Sequence, residues 1–369
     1  MLDLPPVLAT PHDLDPVGLS AVEDLVTTEI ASRGRSLAEV DPSLRDVADR
    51  LTALVQGGKR LRAAFCLWGA RAAAGPRADV PGGTAAAAAL ELFHLAALVH
   101  DDVMDRSEHR RGGPTVHRAY ADQHDAEGYG GDARTFGDGV AVLVGDLCLT
   151  WSDDLLGVAQ TEAGRLRPTR ARAARRVWEE MRLQVIAGQY LDLLGQARPH
   201  SDSAAAHRVL TYKSAKYTVE HPLLLGAALG GADPALLDQL SRFGRGVGEA
   251  FQLRDDVLGL FGDPEVTGKS VSDDVREGKR TLLVTSAEES ASAAQRRVLD
   301  RHLGDRDGGP EGLHAVREVV TATGALALVE ERIEERATRA HEVLGAMPID
   351  EQTRRTLGVL SDACAWRVA

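Results

Sequence analysis

Three aspartates, Asp101, Asp102 and Asp105, close a long apolar run in LELFHLAALVHDDVMDRSEHRRG, residues 90–112. At about 100° per residue, His94, Asp101 and Asp105 fall within about 40° of one another on one helical face, with Leu98 beside them. The residues before the acids are nearly all Ala, Leu, Val or Phe. An ionised carboxylate buried without a partner is too costly to keep. Three of them at D-D-x-x-D spacing are hard oxygen donors suited to a divalent cation such as Mg2+. Arg110 and Arg111 follow at once, and guanidinium groups grip phosphate oxygens through a planar fork. Acids that hold a metal beside cations that hold phosphate suggest a diphosphate carried on Mg2+. In isolation, a solvated helix end with an acidic and then a basic run would read the same way.

Four further stretches carry related chemistry. Gly57-Gly58-Lys59-Arg60-Leu61-Arg62 places Lys59 and Arg62 three apart, on one face of the helix expected to follow, and the glycine pair lets backbone approach a ligand. Tyr212-Lys213-Ser214-Ala215-Lys216-Tyr217-Thr218 sets Lys213 beside a hydroxyl that suits a phosphate oxygen, or else on an exposed turn. In FQLRDD, Asp255 and Asp256 repeat the paired acids after another apolar run, with Gln252 on their face. TGKSVSDDVREGKRT then holds Lys269, Asp273, Asp274 and Lys279. The chain has only five lysines, Lys59, Lys213, Lys216, Lys269 and Lys279, among 43 basic residues. An ammonium is a compact point charge where guanidinium is a fork, so lysines kept in an arginine-rich chain mark places where the point charge matters. All five lie in these motifs.

The elements that must position these groups read as helices. Alanine and leucine recur at helical spacing, aromatics make up 4% of the 369 residues, and no series of alternating β-branched strands appears, which predicts an all-α chain. Residues 1–16 read as a loose tail and 17–56 as helices broken at Asp41-Pro42. Breaks are predicted at 75–83, 122–139, 164–169 and 304–310, with two or three amphipathic helices after the last. No linker divides residues 17–369. Cys66, Cys148 and Cys364 sit in unrelated apolar contexts and read as reduced core residues of a cytosolic protein. The N-terminal residues lack a basic and then apolar leader pattern, and no apolar tract reads as a membrane span. A net charge of −12 argues against a nucleic-acid partner.

Together, GGKRLR, HDDVMD with RRG after it, KSAKYT, FQLRDD and GK…D…GKRT resemble the trans-polyprenyl diphosphate synthases, from about residue 20 to the end and in that family's order. The resemblance implies a single-domain helical bundle around a deep apolar cavity, the isoprenoid synthase-like fold, with the acids at its mouth, and a cytoplasmic homodimer. It implies about three Mg2+ ions per active site, held by Asp101, Asp102 and Asp105 in a first motif and by Asp255 and Asp256 in a second, with Asp101, Asp105 and Asp255 as direct ligands. Lys59, Arg62, His94 and Arg111 match the isopentenyl diphosphate site. Arg110, Lys213, Ser214, Gln252, Lys269 and Lys279 match the allylic diphosphate site, with Lys213 and Lys269 serving catalysis as the diphosphate leaves.

The implied reaction is a head-to-tail condensation giving a product five carbons longer. Counting back from Asp101, Ala97 and Ala96 are small, whereas relatives that stop at fifteen carbons usually carry an aromatic ring at this level. Phe93 is the first large aromatic, one turn of about 5.4 Å deeper, close to one isoprene unit. The expected product is geranylgeranyl diphosphate. Farnesyl or longer products, a class I terpene cyclase and a non-catalytic subunit are the alternatives, though a cyclase has no use for a GGKR grip. The chain departs from the pattern at Gly259, where many relatives have a third aspartate. Asp263 returns to that face seven residues after Asp256, or is a surface residue before Pro264. Ser272 replaces a common glycine, and Asp274 then keeps the usual spacing to Lys279.

Overall fold

The alanine- and leucine-rich stretches fold into helices, as expected of an all-α chain. The computed structural model describes residues 18–56, 58–75, 77–198, 202–262, 273–305 and 307–367; the tail expected over 1–16 lies outside them. The first helices are α1 (Leu19–Val40), α2 (Arg45–Val55), α3 (Leu61–Ala74), α4 (Gly83–Asp105), α5 (Val116–Ala126), α6 (Ala133–Leu166), α7 (Pro168–Ala197) and α8 (Ser203–Val209). A π-helix over Leu210–Glu220 leads into α9 (His221–Gly230) and α10 (Pro234–Phe261). The rest are α11 (Asp273–Arg276), α12 (Leu282–Ser290), α13 (Ala293–His302), α14 (Pro310–Ala322), α15 (Ala325–Ala346) and α16 (Glu351–Ala365). Among the described residues, β structure is confined to a ribbon of β1 (His109–Arg110) and β2 (Gly113–Pro114).

Local chemistry explains many of the boundaries. Asp41 accepts the Ser43 N–H at 2.8 Å, with Pro42 next to it, so α1 ends and a 3-10 turn begins where the sequence suggested. Asp132, Asp202, Asp233 and Asp350 each cap the helix that follows them through a side-chain oxygen. The loop expected over 122–139 is shorter than its composition implied. Helix α5 runs to Ala126 and α6 starts at Ala133 under its Asp132 cap. Gly137 is helical because a Cβ there would overlap the His117 carbonyl oxygen of α5. That glycine serves close helix packing, not a turn.

The chain divides into two compact units. One holds the described residues of Thr10–Leu67 and Asp79–Ala171. In it α4 packs along α6, α5 along α6, and α1 against α2 and α4. Bare backbone at Gly82 lets α4 start against the Ala159 carbonyl of α6, and Gly145 of α6 leaves room for the His100 ring. Helix α4 is apolar and long enough to cross a bilayer, yet 72% of its most apolar window is buried inside the protein.

The other unit holds the described residues of Trp68–Ala78 and Arg172–Ala369, with α10 packed against the π-helix, α9, α15 and α16. Its core joins Leu253, Val257 and Leu260 of α10 to Leu282 and Leu283 of α12, Val316 and Val320 of α14, and Val329 and Ile333 of α15. Cys66, Cys148 and Cys364 are free and buried, as expected, and burial pushes the first two thiols up to about 12.

Candidate active site

In the first unit the acids sit where α4 ends. Arg106 takes the left-handed conformation (φ 58°), and the Ser107 N–H bonds back to the Asp102 carbonyl at 3.0 Å, which stops the helix at Asp105. The chain then turns through Arg111 (φ 51°) and Gly112 (φ 78°) between β1 and β2. Two positive φ values at the centre of a two-residue loop are what a tight hairpin requires. The RRG sequence is therefore a hairpin, and it folds Arg110 back onto the helix. Arg110 Nε donates to both Asp102 oxygens, at 2.7 and 3.0 Å, and its Nη2 lies 2.6 Å from Oδ1. Asp102 is buried, and burial raises its pKa against the Arg110 charge and hydrogen bonds that lower it. Asp102 is thus held by the guanidinium of Arg110.

Arg111 has a structural task as well. Its Nη1 donates to the Leu54 carbonyl and to those of Val55 (3.4 Å) and Gln56 (3.3 Å), the exposed C-terminal end of α2. Arg60, which sequence reasoning passed over, is the anchor of the GGKRLR stretch. It donates to Glu23 at 3.1 Å, to the buried Glu91 of α4 at 3.3 Å and to the Val55 carbonyl at 2.7 Å. Its positive φ of 49° delays α3 to Leu61. Lys59 is consequently exposed in the segment before the helix and does not share a helical face with Arg62, which corrects that expectation. A Cβ at Gly58 would lie 2.9 Å from Arg60 Nη1 and 3.2 Å from Arg111 Nη2, so the glycine makes room for both guanidinium groups.

His94 lies among these cations. Burial and the charges of Arg62, Arg111, Arg110 and Arg60 hold its pKa well below the ordinary imidazole value, so it is neutral at physiological pH. A neutral imidazole inside an arginine cluster can donate one N–H to an anion.

In the second unit, Gln252, Asp255 and Asp256 share α10. Gln252 Nε2 donates to Asp256 Oδ1 at 2.8 Å. Burial drives the Asp256 pKa well above the carboxylate range, and the negative charges of Asp255 and Asp274 add to it, against the Gln252 hydrogen bond and Lys279. Asp255 accepts Arg367 Nη2 at 2.6 Å, and that guanidinium stacks 4.2 Å from the Phe251 ring centre. Lys279 reaches Glu277 at 2.7 Å and Asp274 at 3.3 Å.

Lys213 and the half-buried Ser214 lie on the π-helix, not on a turn. The wider helix is admitted by glycines on its neighbours. A Cβ at Gly188 of α7 would overlap the Lys213 nitrogen, one at Gly248 of α10 the Ala215 carbonyl oxygen, and one at Gly244 would lie 2.7 Å from the Glu220 Cα. One turn beyond Gly188, Asp192 Oδ2 meets Lys213 Nζ at 2.6 Å. The sequence offered a signal for Asp192, an acid inside the apolar QYLDLL, but none for Arg367. Lys269, Asp263 and Ser272 lie outside the described residues.

Among the described residues, no three carboxylate, imidazole or thiolate groups already converge at metal-binding distance. The donor chemistry nevertheless fits Mg2+. Both sets are carboxylate oxygens only, and in each the pKa of one acid, Asp102 or Asp256, is raised by burial and further by its neighbouring carboxylates, negative charge that a hard divalent cation would relieve.

The profile of the family described as polyprenyl synthetase matches residues 43–320. A geranylfarnesyl diphosphate synthase of Aeropyrum pernix is 32% identical over 85% of this chain and 91% of its own length. A nonaprenyl diphosphate synthase of Mycobacterium tuberculosis is 30% identical over 94% and 91%. The crystal structure of a geranylgeranyl pyrophosphate synthase from Corynebacterium glutamicum, complexed with isoprenyl diphosphate and magnesium, superposes with a TM-score of 0.88 at 35% identity, covering 94% of this chain and 98% of that one.

Proposed function

The chain belongs to the polyprenyl synthetase family, and from that premise we propose that it condenses isopentenyl diphosphate with an allylic diphosphate to release geranylgeranyl diphosphate. The observation that carries this reading is the end of α4, where carboxylates spaced for a divalent cation meet a neutral histidine ringed by four arginines. Lys59, Arg62 and the His94 N–H hold isopentenyl diphosphate, with Arg111 adding its charge from the α2 terminus. Lys213, Ser214, Gln252, Lys269, Lys279 and Arg110 serve the allylic diphosphate. Asp101 and Asp105 on α4, and separately Asp255 on α10, would hold Mg2+ ions, which would supply positive charge to the departing diphosphate. The allylic C1–O bond breaks with its electron pair going to that diphosphate. The double bond of isopentenyl diphosphate attacks C1, and a proton is lost to the departed diphosphate. The protein supplies charge and a dry surface, with no nucleophile of its own.

The relatives make products of several lengths, so the choice falls to the wall of α4. Ala96 and Phe93 are buried and Ala97 is half-buried, which supports a floor at Phe93, one turn below the alanines. Ala97→Phe is expected to shorten the main product and Phe93→Ala to lengthen it, read by chromatography of the dephosphorylated alcohols. Unchanged lengths in both variants remove these residues from the floor. A homodimer is supported by the face of α7 that exposes Leu183, Ile186 and Tyr190 at 71, 62 and 66%, an apolar stripe that a second copy would cover. Free buried thiols fit a cytoplasmic setting.

A further inference from the structure

Four of the chain's five lysines serve diphosphates in the reading above, and Lys216 is the exception. It lies on the π-helix three residues after Lys213 and is buried. Its Nζ lies 3.4 Å from Oε1 of Glu220, the last residue of the π-helix and itself buried. The same oxygen accepts the Ser241 hydroxyl of α10 at 2.7 Å and lies 3.5 Å from Arg245 Nη2. Glu220 Oε2 has no hydrogen-bond partner among the described residues. Three donors converge on one oxygen, and two of them belong to α10.

Stability alone explains that arrangement poorly. A buried ion pair gains little over an apolar filling of the same volume, and a bare buried oxygen adds a cost. What a buried pair does well is fix a register. The π-helix is a segment whose register must be held, because its bonds reach the fifth residue and a return to α bonding would turn one end against the other. Glycines admit it at three places: Gly188 at Lys213, Gly248 at Ala215 and Gly244 at Glu220. Packing of that kind is not directional, whereas the Glu220 hydrogen bond to Ser241 is. The face of α10 that receives Glu220 is also the face of the second acidic motif. Ser241, Gly244, Gly248, Gln252 and Asp255 recur along it at steps of three or four residues. A tie at Ser241 therefore sets where Lys213 stands along the helix that carries Gln252 and Asp255.

We propose that Glu220, tied to Ser241 and braced by Lys216, is a positioning residue that holds the register of the π-helix on α10 and so presents Lys213 to the allylic diphosphate. This role, which rests on the prenyltransferase reading above, requires no substrate contact from Glu220 or Lys216.

The test is a double-mutant cycle in turnover. Wild type, Glu220→Gln, Ser241→Ala, Lys213→Ala and each of the first two changes combined with Lys213→Ala are assayed with each substrate varied in turn, and circular dichroism reports folding. Glu220→Gln keeps the volume and loses the charge. Ser241→Ala keeps the Lys216 pair and loses only the tie to α10, so the outcome does not hang on the folding of one protein. Glu220→Gln is expected to lower kcat/KM for the allylic diphosphate about tenfold or more and Ser241→Ala about threefold, with KM for isopentenyl diphosphate within about twofold of wild type. In the Lys213→Ala background each change should cost less than about twofold, because the register then has no lysine to present. Losses as large without Lys213 as with it would mark a merely structural role and overturn the inference. Wild-type kinetics in either folded single variant overturn it, and so do equal losses for both substrates. A Lys213→Ala protein as fast as wild type also overturns it, by removing the residue through which Glu220 acts. A folded wild type that elongates no allylic diphosphate overturns the prenyltransferase reading itself.

Discussion

Glu91 is the clearest point at which stability and the anion grip depend on one side chain. It sits on α4 with 7% of its surface exposed, takes the Arg60 guanidinium at 3.3 Å and accepts the Ala63 N–H at 3.3 Å. Glu91→Gln keeps the volume and one acceptor oxygen but turns an N–H group toward Arg60, leaving a buried cation short of one partner. Removing one member of a buried pair costs about 3–5 kcal/mol. Arg60 keeps Glu23 and the Val55 carbonyl, so the lower end applies, about 3 kcal/mol. At roughly 1–2 °C per kcal/mol for a chain of 369 residues, Tm should fall by about 3–6 °C. Calorimetry measures this directly. Adding Arg60→Met removes the stranded charge and should recover part of the loss in a double-mutant cycle. Because Arg60 anchors the segment between Lys59 and Arg62, Glu91→Gln should also raise KM for isopentenyl diphosphate several-fold with kcat little changed. A Tm within 1 °C of wild type, with no coupling to Arg60, would refute the assignment of Glu91 as the anchor.

Asp101→Ala or Asp255→Ala should cut condensation by roughly 10²–10³-fold or more in a folded protein, the loss of one strong electrostatic contact in the transition state; near-normal turnover with circular dichroism intact contradicts the metal assignment. His221 is buried, and burial lowers its pKa to about 4. As pH falls from about 6.5 toward 4, the unfolded state takes up a proton there that the folded state refuses, so stability declines by roughly 3 kcal/mol across that window. His221→Gln should flatten that part of a Tm-against-pH curve, and an unchanged slope would show His221 is not its source. Gly188→Val should force α7 off the π-helix at Lys213, costing about 1–3 kcal/mol and slowing turnover more than Val at the open Gly195; equal effects at the two sites would refute the close approach.

The helical class and most element boundaries were legible because periodicity, prolines and capping aspartates are local signals. Asp41-Pro42 ended a helix where the sequence placed a break. The region 122–139 misled because a glycine count cannot tell a turn from a helix that needs a bare face, and Gly137 is the second kind. The spacing of Asp101, Asp102 and Asp105 also fits the end of α4 on which they lie. The scaffold contacts of Arg60 and Arg111 were not legible, since only the fold brings Glu91, Glu23 and the α2 carbonyls to them. Asp192 meets Lys213 across 21 positions and Arg367 meets Asp255 across 112, separations at which a single sequence carries no pairing signal.

The π-helix makes this chain sensitive to length at one place. The His221 N–H closes onto the Lys216 carbonyl, five residues back, so each turn holds more chain than an α-helical turn would. Deleting any one residue between Ser214 and Glu220 would let the segment relax to i→i+4 bonding, and would rotate the chain before the deletion by about 100° against the chain after it. Lys213 would then swing away from Asp192 while every motif residue remained present. The relaxed helix would also be narrower, leaving gaps opposite Gly188 and Gly248 that alanine could fill. Loss of one residue here and gain of a methyl group on a neighbouring helix are thus two halves of a single change, and either half alone is a defect.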